Sequence, residues 1–344
     1  MKALFVGLGG IGQRHLRILR DLMPKVEISA VRRRGRRFEI TDQLEADYSV
    51  DLIEKYQIRE FSTLSDALRA GQDFAIVANP TRLHLETAYE IIVSGVPVLV
   101  EKPLSDQAGR IDEFVHLIKD SGVCVRVGYM TRFHPAAKKM QQILASGVLG
   151  EVHCINFRAN SYMPEWHRYE LVSDLYASRE DLGGGVLATE VHEIDLLCWL
   201  FGRPTMVMSI GKSSTSQKWS IHDTACVLIE QQYQGAKVIT SGLLSFAQRK
   251  VSREIMIWGE LGLLNWNIAS GELKLNCEDK EEIWCFNHIE RNSLFQEQMV
   301  EFLEAMQSSA TPTTVVDDIL NTHIAVTALN KALRTGSVVE IQSC

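Results

Sequence analysis

Lys102 and His192 are the two side chains whose type and setting suit redox chemistry at a carbinol carbon. Lys102 stands in VPVLVEKP, directly after an apolar strand-like run. An ammonium held there beside a redox ring would polarise a carbonyl or steady an alkoxide. Pro103 restricts Lys102 to extended backbone and so fixes where its side chain leaves the strand. A simple pair with Glu101 is poorly placed, because adjacent side chains of an extended segment point to opposite sides. His192 lies in DLGGGVLATEVHEID, residues 181–195, where three glycines lead into a helix-like segment with one imidazole between two acids. With a helix starting near Leu187, the residues Leu187, Val191, Ile194, Cys198 and Phe201 form one apolar stripe at about 100° per residue. His192 falls off that stripe, among Ala188, Thr189, Asp195, Leu196 and Trp199, and is predicted to line a pocket wall. The glycines would let the chain enter this helix close to a cofactor or substrate.

Elements that could position such a pair begin at the first residues. MKALFVGLGGIGQRHLRILRDL runs from a strand (Ala3 to Val6) through Gly7, Gly9 and Gly12 into an amphipathic helix with Ile11, Leu16, Leu19 and Leu22 at core spacing. This is G-x-G-x-x-G in its required setting. Gly7 allows the tight turn, Gly9 allows backbone approach to a pyrophosphate, and Gly12 allows close helix–strand packing, with the N–H groups of Gly10 and Ile11 facing the phosphates. Dinucleotide binding is the prediction. The second strand, Val26 to Val31, should end in an acid for the adenosine ribose roughly 20 residues beyond the last glycine. It ends instead in VRRRGRR, and Arg32, Arg33, Arg34, Arg36 and Arg37 suit a 2′-phosphate, so NADP is predicted in preference to NAD.

Helical and strand segments then alternate: 64–70 helix, 74–78 strand, 84–94 helix, 96–100 strand, 107–121 helix and 123–127 strand. That alternation predicts an α/β fold with a doubly wound parallel sheet. Ligands of such sheets sit beyond the carboxyl ends of the strands, where three polar stretches fall. ANPTRLH offers Asn79, Pro80, Thr81 and His84 to the cofactor, VEKP offers Glu101 and Lys102, and GYMTRF offers Arg132 to the substrate. Before the glycine run, Tyr162, Trp166, His167, Arg168, Tyr176 and Arg179 mix aromatic faces with donors, as a carbohydrate pocket needs. Arg132, Arg168 and Arg179 suit a substrate carboxylate or phosphate.

Composition bounds the rest. The 344 residues favour two domains, and 46% hydrophobic with 23% charged residues is ordinary for a soluble globular chain. A net charge of −7 disfavours nucleic acid and anionic lipid as partners. Seven cysteines without a C-x-x-C pair predict reduced core thiols of a cytoplasmic protein and no metal site. No apolar stretch approaches the length of a membrane span, and no secretory signal pattern opens the chain.

GLGGIG, ANPTRLH, VEKPLS, YMTRFHP and GGGVLATEVHEIDLLCWLFG, in this order and spacing, resemble the glucose-fructose oxidoreductase / inositol dehydrogenase / MocA family over nearly the whole chain. YMPEWHRYELVSDLYASREDLGGG is similar to a branch associated with bacterial surface-sugar and nonulosonic-acid pathways. The resemblance implies a Rossmann domain over 1–124 and, over 125–344, a substrate-binding α/β domain with a large, mostly antiparallel open sheet that forms a homodimer or homotetramer. Strand-forming segments at 152–157, 206–210, 224–231, 237–244 and 253–258 agree with such a sheet, and a helix over 319–334 is predicted to pack back on the body.

The resemblance further implies catalysis by Lys102 and His192. Relatives carry an aspartate where this chain has Thr189, which leaves Asp195 as the orienter of the imidazole; Glu190 lies about 160° around the helix from His192. The implied activity is hydride transfer between nicotinamide and a carbinol or carbonyl carbon of a sugar, sugar acid or nucleotide-linked sugar. A hydrolase using tightly held NAD for transient oxidation and a non-catalytic cofactor sensor are the alternatives.

Overall fold

The computed structural model describes residues 1–214, 219–278, 280–307 and 313–342. Short runs such as KALFV and FAIV lack any alternation and are buried on both faces, as strands of a parallel sheet covered by helices must be. They form a six-stranded parallel sheet in the order β5 (Arg59–Phe61), β2 (Glu27–Val31), β1 (Lys2–Val6), β6 (Phe74–Val77), β7 (Val98–Val100) and β8 (Val125–Val127). Helices α1 (Gly10–Leu22), α2 (Leu52–Tyr56), α3 (Leu64–Arg69), α4 (His84–Val93) and α5 (Ile111–Ser121) belong to this unit. A hairpin of β3 (Phe38–Ile40) and β4 (Ala46–Asp51), not predicted, follows the basic turn. The strand order reverses between β2 and β6, on either side of β1, so the crevice for a ligand opens beside the glycine turn.

The second sheet has nine strands, ordered β16 (Lys280–Cys285), β15 (Glu272–Cys277), β14 (Gly262–Asn267), β13 (Ala247–Gly259), β9 (Val152–Tyr162), β12 (Ala236–Ser245), β11 (Thr224–Tyr233), β10 (Pro204–Lys212) and β17 (Val339–Glu340). Only the β9–β12 pair is parallel. Helices α7 (Val186–Thr189), α8 (His192–Phe201) and α10 (Thr313–Thr335) cover one face. The other face leaves Met206, Ile210, Leu228 and Ile239 exposed. Helix α6 (Pro135–Ala145) joins the two units, its first turn capped by the His134 ring.

One expectation needs correction. Residues 125–127 form β8, hydrogen-bonded to β7, so a boundary between 124 and 125 would cut the last strand from the parallel sheet. A further helix that packs on the first unit, α9 (Arg291–Ala305), was not predicted; its Leu294, Phe295, Met299 and Phe302 join the core of α1 and β1. The last helix, α10, packs back on the body as expected, mainly on β10 and α8 and also on α5 and β8 of the first unit.

Candidate active site

The glycine turn has the sterics its spacing requires. Gly7 sits at φ +98°, where a Cβ would come within 2.6–2.8 Å of the backbone of Ala78 and Asn79, and a Cβ on Gly12 would collide with the Gly7 carbonyl. Around Gly9 there is open space, and no side chain caps the start of α1. Free first-turn N–H groups beside open space are what a dinucleotide pyrophosphate takes, so these residues fit that cofactor. Above Gly10 stands Tyr169, whose hydroxyl would be 2.5 Å from a Cβ there. The segment bearing Tyr169 belongs to the second unit, and it lies over the phosphate turn of the first.

The arginine run is more occupied than its sequence suggests. Arg32 pairs with Glu60, Arg37 with Asp51, and both Arg34 and Arg36 with Glu170 at 3.2 and 2.5 Å. Arg33 has no such partner among the described residues.

Lys102 and His192 come from different units, and Lys102 reaches the segment that leads into His192. The Lys102 Nζ donates to the main-chain carbonyl of Thr189 at 2.7 Å, three residues before His192. Burial, then the charges of Lys102, Arg253 and Arg291, hold the imidazole well below its ordinary pKa, so it is neutral at pH 7. Its Nδ1 is sealed without a hydrogen-bond partner, and so is the Thr189 hydroxyl oxygen. Two orphaned polar atoms within one turn mark a place that a polar ligand would complete.

Glu101 and Lys102 diverge as adjacent strand residues do. The Glu101 carboxylate meets His15 Nε2 at 2.6 Å and also accepts from the Lys102 N–H, so its side chain serves the protein rather than the cofactor. His84, expected at the cofactor, is buried with its two ring nitrogens 2.8 Å from the carbonyls of Pro103 and Asn79; it braces the ends of β6 and β7. Thr81 is likewise buried behind Pro80, and the Asn79 amide donates to Thr87.

Asp195 is not the orienter of His192. Both its oxygens accept from Arg132, at 3.0 and 2.6 Å, and one also from Thr322. Arg132 is consumed by the same pair and by Asp318, which removes it as a substrate ligand. The single-stripe reading of this helix fails for a related reason: the chain breaks at Glu190 between α7 and α8, and α8 is buried on both sides. The other acid of α8, Glu193, is fully buried and takes a two-pronged bond from Arg253, a pairing the sequence pattern did not show.

Glycine at 183–185 answers a demand of the protein itself. A Cβ on Gly183, at φ +81°, would crowd the Arg82 backbone and Asp106, and one on Gly184 would strike the carbonyls of Tyr176 and Ala177. The aromatic segment before them disperses. Trp166 packs edge-on against Phe246, Tyr162 hydrogen-bonds Arg249, and His167 stacks on Tyr169 at 5.0 Å over the cofactor turn. Arg168 is exposed beside Glu45, Arg179 is half-buried beside Asp181, and the Tyr176 carbonyl lies over Gly184. Of the cysteines expected in the core, Cys154, Cys226 and Cys285 are exposed and Cys277 is half-buried; Cys344 lies outside the described residues.

A reversal of strand order beside a glycine turn with free first-turn N–H groups, together with an ammonium set at the turn that leads to a neutral imidazole, defines a nucleotide-dependent oxidoreductase of two units. Residues 1–129 match the oxidoreductase family with an NAD-binding Rossmann fold, and residues 137–265 match the GFO/IDH/MocA C-terminal domain. The chain belongs to the glucose-fructose oxidoreductase / inositol dehydrogenase / MocA family. It is 27% identical to the rhizopine catabolism protein MocA of Rhizobium meliloti over 61% of this chain and 60% of that protein. It is also similar in fold to the myo-inositol 2-dehydrogenase of Lactobacillus plantarum, with a TM-score of 0.77, 18% identity and 99% of each chain covered. The WlbA dehydrogenase of Bordetella pertussis, solved with NADH and UDP-GlcNAcA, gives a TM-score of 0.75 at 18% identity, over 100% of this chain and 99% of that one. Among the described residues no helix is long and apolar enough to cross a membrane.

Proposed function

We propose that this protein is an NAD(P)-dependent dehydrogenase or reductase acting on a CH–OH group of a sugar, sugar acid or nucleotide-linked sugar. The observation that carries the reading is the Lys102 Nζ hydrogen bond to Thr189, which sets an ammonium of the first unit beside the turn of His192 in the second. The nicotinamide, when bound, accepts or returns the hydride. Gly9, Gly10 and Ile11 would hold the pyrophosphate at the start of α1. His192, neutral at pH 7, takes the proton of the substrate hydroxyl, and Lys102 steadies the oxygen as charge develops on it. The Thr189 hydroxyl supplies a hydrogen bond at the same place without adding charge. Similarity to a myo-inositol 2-dehydrogenase and to a dehydrogenase solved with UDP-GlcNAcA supports this substrate class.

The five arginines at 32, 33, 34, 36 and 37 support NADP over NAD, with Arg33 unpaired among the described residues and Arg34 exchanging Glu170 for the 2′-phosphate. Formation of reduced nicotinamide from NADP⁺ and from NAD⁺, across a panel of sugars, sugar acids and nucleotide sugars, tests both parts. A higher kcat/KM with NADP⁺ is expected. Equal or better use of NAD⁺ removes the cofactor preference, and no reduction with any member removes the dehydrogenase reading.

Homo-oligomerisation through the outer face of the nine-stranded sheet is part of the same proposal. Met206 and Ile210 of β10, Leu228 of β11 and Ile239 of β12 present a contiguous apolar patch there. Leu228→Glu is expected to shift a dimer or tetramer to monomer in sedimentation velocity, and a monomeric wild type would end the proposal. Three exposed unpaired cysteines suit a reducing, cytoplasmic setting.

A further inference from the structure

Besides Lys102, a second cation near the reacting groups has no counter-ion among the described residues. Arg291, the first residue of α9, makes neither an ion pair nor a hydrogen bond among the described residues. It is solvent-exposed, yet the surrounding protein and the charges of Arg14 and Arg253 lower its pKa to about 10, which still leaves it cationic at neutral pH.

Its position relative to the reacting groups follows from Phe295, one turn along α9. The Arg291 and Arg14 guanidinium carbons lie 5.9 and 5.2 Å from the centre of that ring. The His15 ring meets it edge-on at 5.6 Å and reaches Glu101, the residue before Lys102. From the second unit, Arg253 and Glu190 act on the charge of Arg291, and Arg291 in turn acts on His192. Neighbouring charges are already engaged. Arg253 is held by Glu193, Glu101 by His15 and Arg14 by Asn292, while Glu190 accepts from the Ser161 hydroxyl beyond ion-pair distance of Arg291. In a chain of net charge −7, an unmatched guanidinium beside a catalytic pair concentrates anions where the rest of the surface repels them.

We propose that Arg291 anchors an anionic group of the substrate, a carboxylate or phosphoryl group, while Lys102 and His192 act on the carbinol of the same molecule. The fork of a guanidinium suits either group. This moves anion recognition away from Arg132, Arg168 and Arg179, which Asp195, Glu45 and Asp181 neutralise. It rests on the reading of the cleft as a carbohydrate dehydrogenase site.

Calorimetric titration of NAD⁺-saturated enzyme with D-glucuronate, D-glucose 6-phosphate and D-glucose tests it. One of the two anionic sugars is expected to bind roughly tenfold to a hundredfold tighter than glucose, the range of a charge-assisted contact. Arg291→Gln is expected to erase that preference with NAD⁺ affinity unchanged, and Arg291→Lys to keep part of it. Equal binding of all three sugars to the wild type, or a preference that survives in Arg291→Gln, overturns the proposal. A loss of NAD⁺ affinity in Arg291→Gln also overturns it, by assigning the residue to the cofactor phosphates. An anion preference that depends on Arg291, without nicotinamide reduction from any sugar, sinks the dehydrogenase reading and leaves the anchor standing.

Discussion

Replacing His192 with alanine is expected to lower kcat/KM by roughly two to four orders of magnitude, the usual worth of a positioned general base, with cofactor affinity nearly unchanged. Lys102→Met is expected to cost roughly two to three orders, as for one charged donor at a developing oxyanion. The two variants separate in their pH dependence. In the wild type the imidazole is held well below its ordinary value by burial first and by Lys102 second. A base with a depressed pKa stays unprotonated into acid, so the acid limb of kcat/KM should lie well below pH 6.5. Deleting the Lys102 charge removes one of the causes that lower it. The residual activity of Lys102→Met should therefore have its acid limb displaced to higher pH, whereas His192→Ala should lose that limb. An acid limb near pH 6.5 in the wild type, or one that Lys102→Met does not move, would show that the two nitrogens do not share a site.

How far such a site is legible in sequence depends on whether the constraint is local. The roles of Gly7 and Gly12 could be read because the backbone they must clear belongs to the turn itself and to the end of β6, both set by the strand–turn–helix pattern. Lys102 was legible for the same reason, since a strand, an acid and a proline fix its direction within three residues. The acids of α8 were not. A helical wheel assumes one wet face, but α8 lies between β9 and β11 on one side and α10 on the other, so its polar residues are buried and must find partners. Those partners, Arg132 and Arg253, stand about 60 residues away in opposite directions along the chain. Arg291 was missed although RNSLFQEQMVEF spaces its apolar residues for a helix that starts there; nothing in that stretch says which unit the helix will cover.

The burial of α8 makes Arg132→Met the substitution with the largest expected effect on stability. Asp195 is completely buried, and burial pushes its carboxyl above the usual range; the two bonds from Arg132 are what oppose that push. Methionine fills similar space without the charge and leaves a carboxylate whose remaining bond comes from Thr322. Breaking a buried pair from one side costs about 3–5 kcal/mol, because the stranded charge keeps its desolvation penalty. The sign with pH follows from linkage. An acid whose folded pKa is raised binds its proton more readily folded than unfolded, so stability falls as pH rises from the ordinary carboxylate value through the raised one. The deficit of Arg132→Met, read as the urea midpoint relative to wild type, should therefore shrink towards pH 5 and widen towards pH 8. Arg132→Met/Asp195→Asn should recover much of it, since both charges are then gone. If Arg132→Met instead unfolds at the wild-type midpoint and raises KM for an acidic sugar, Arg132 faces substrate and the anion anchor proposed at Arg291 has a rival.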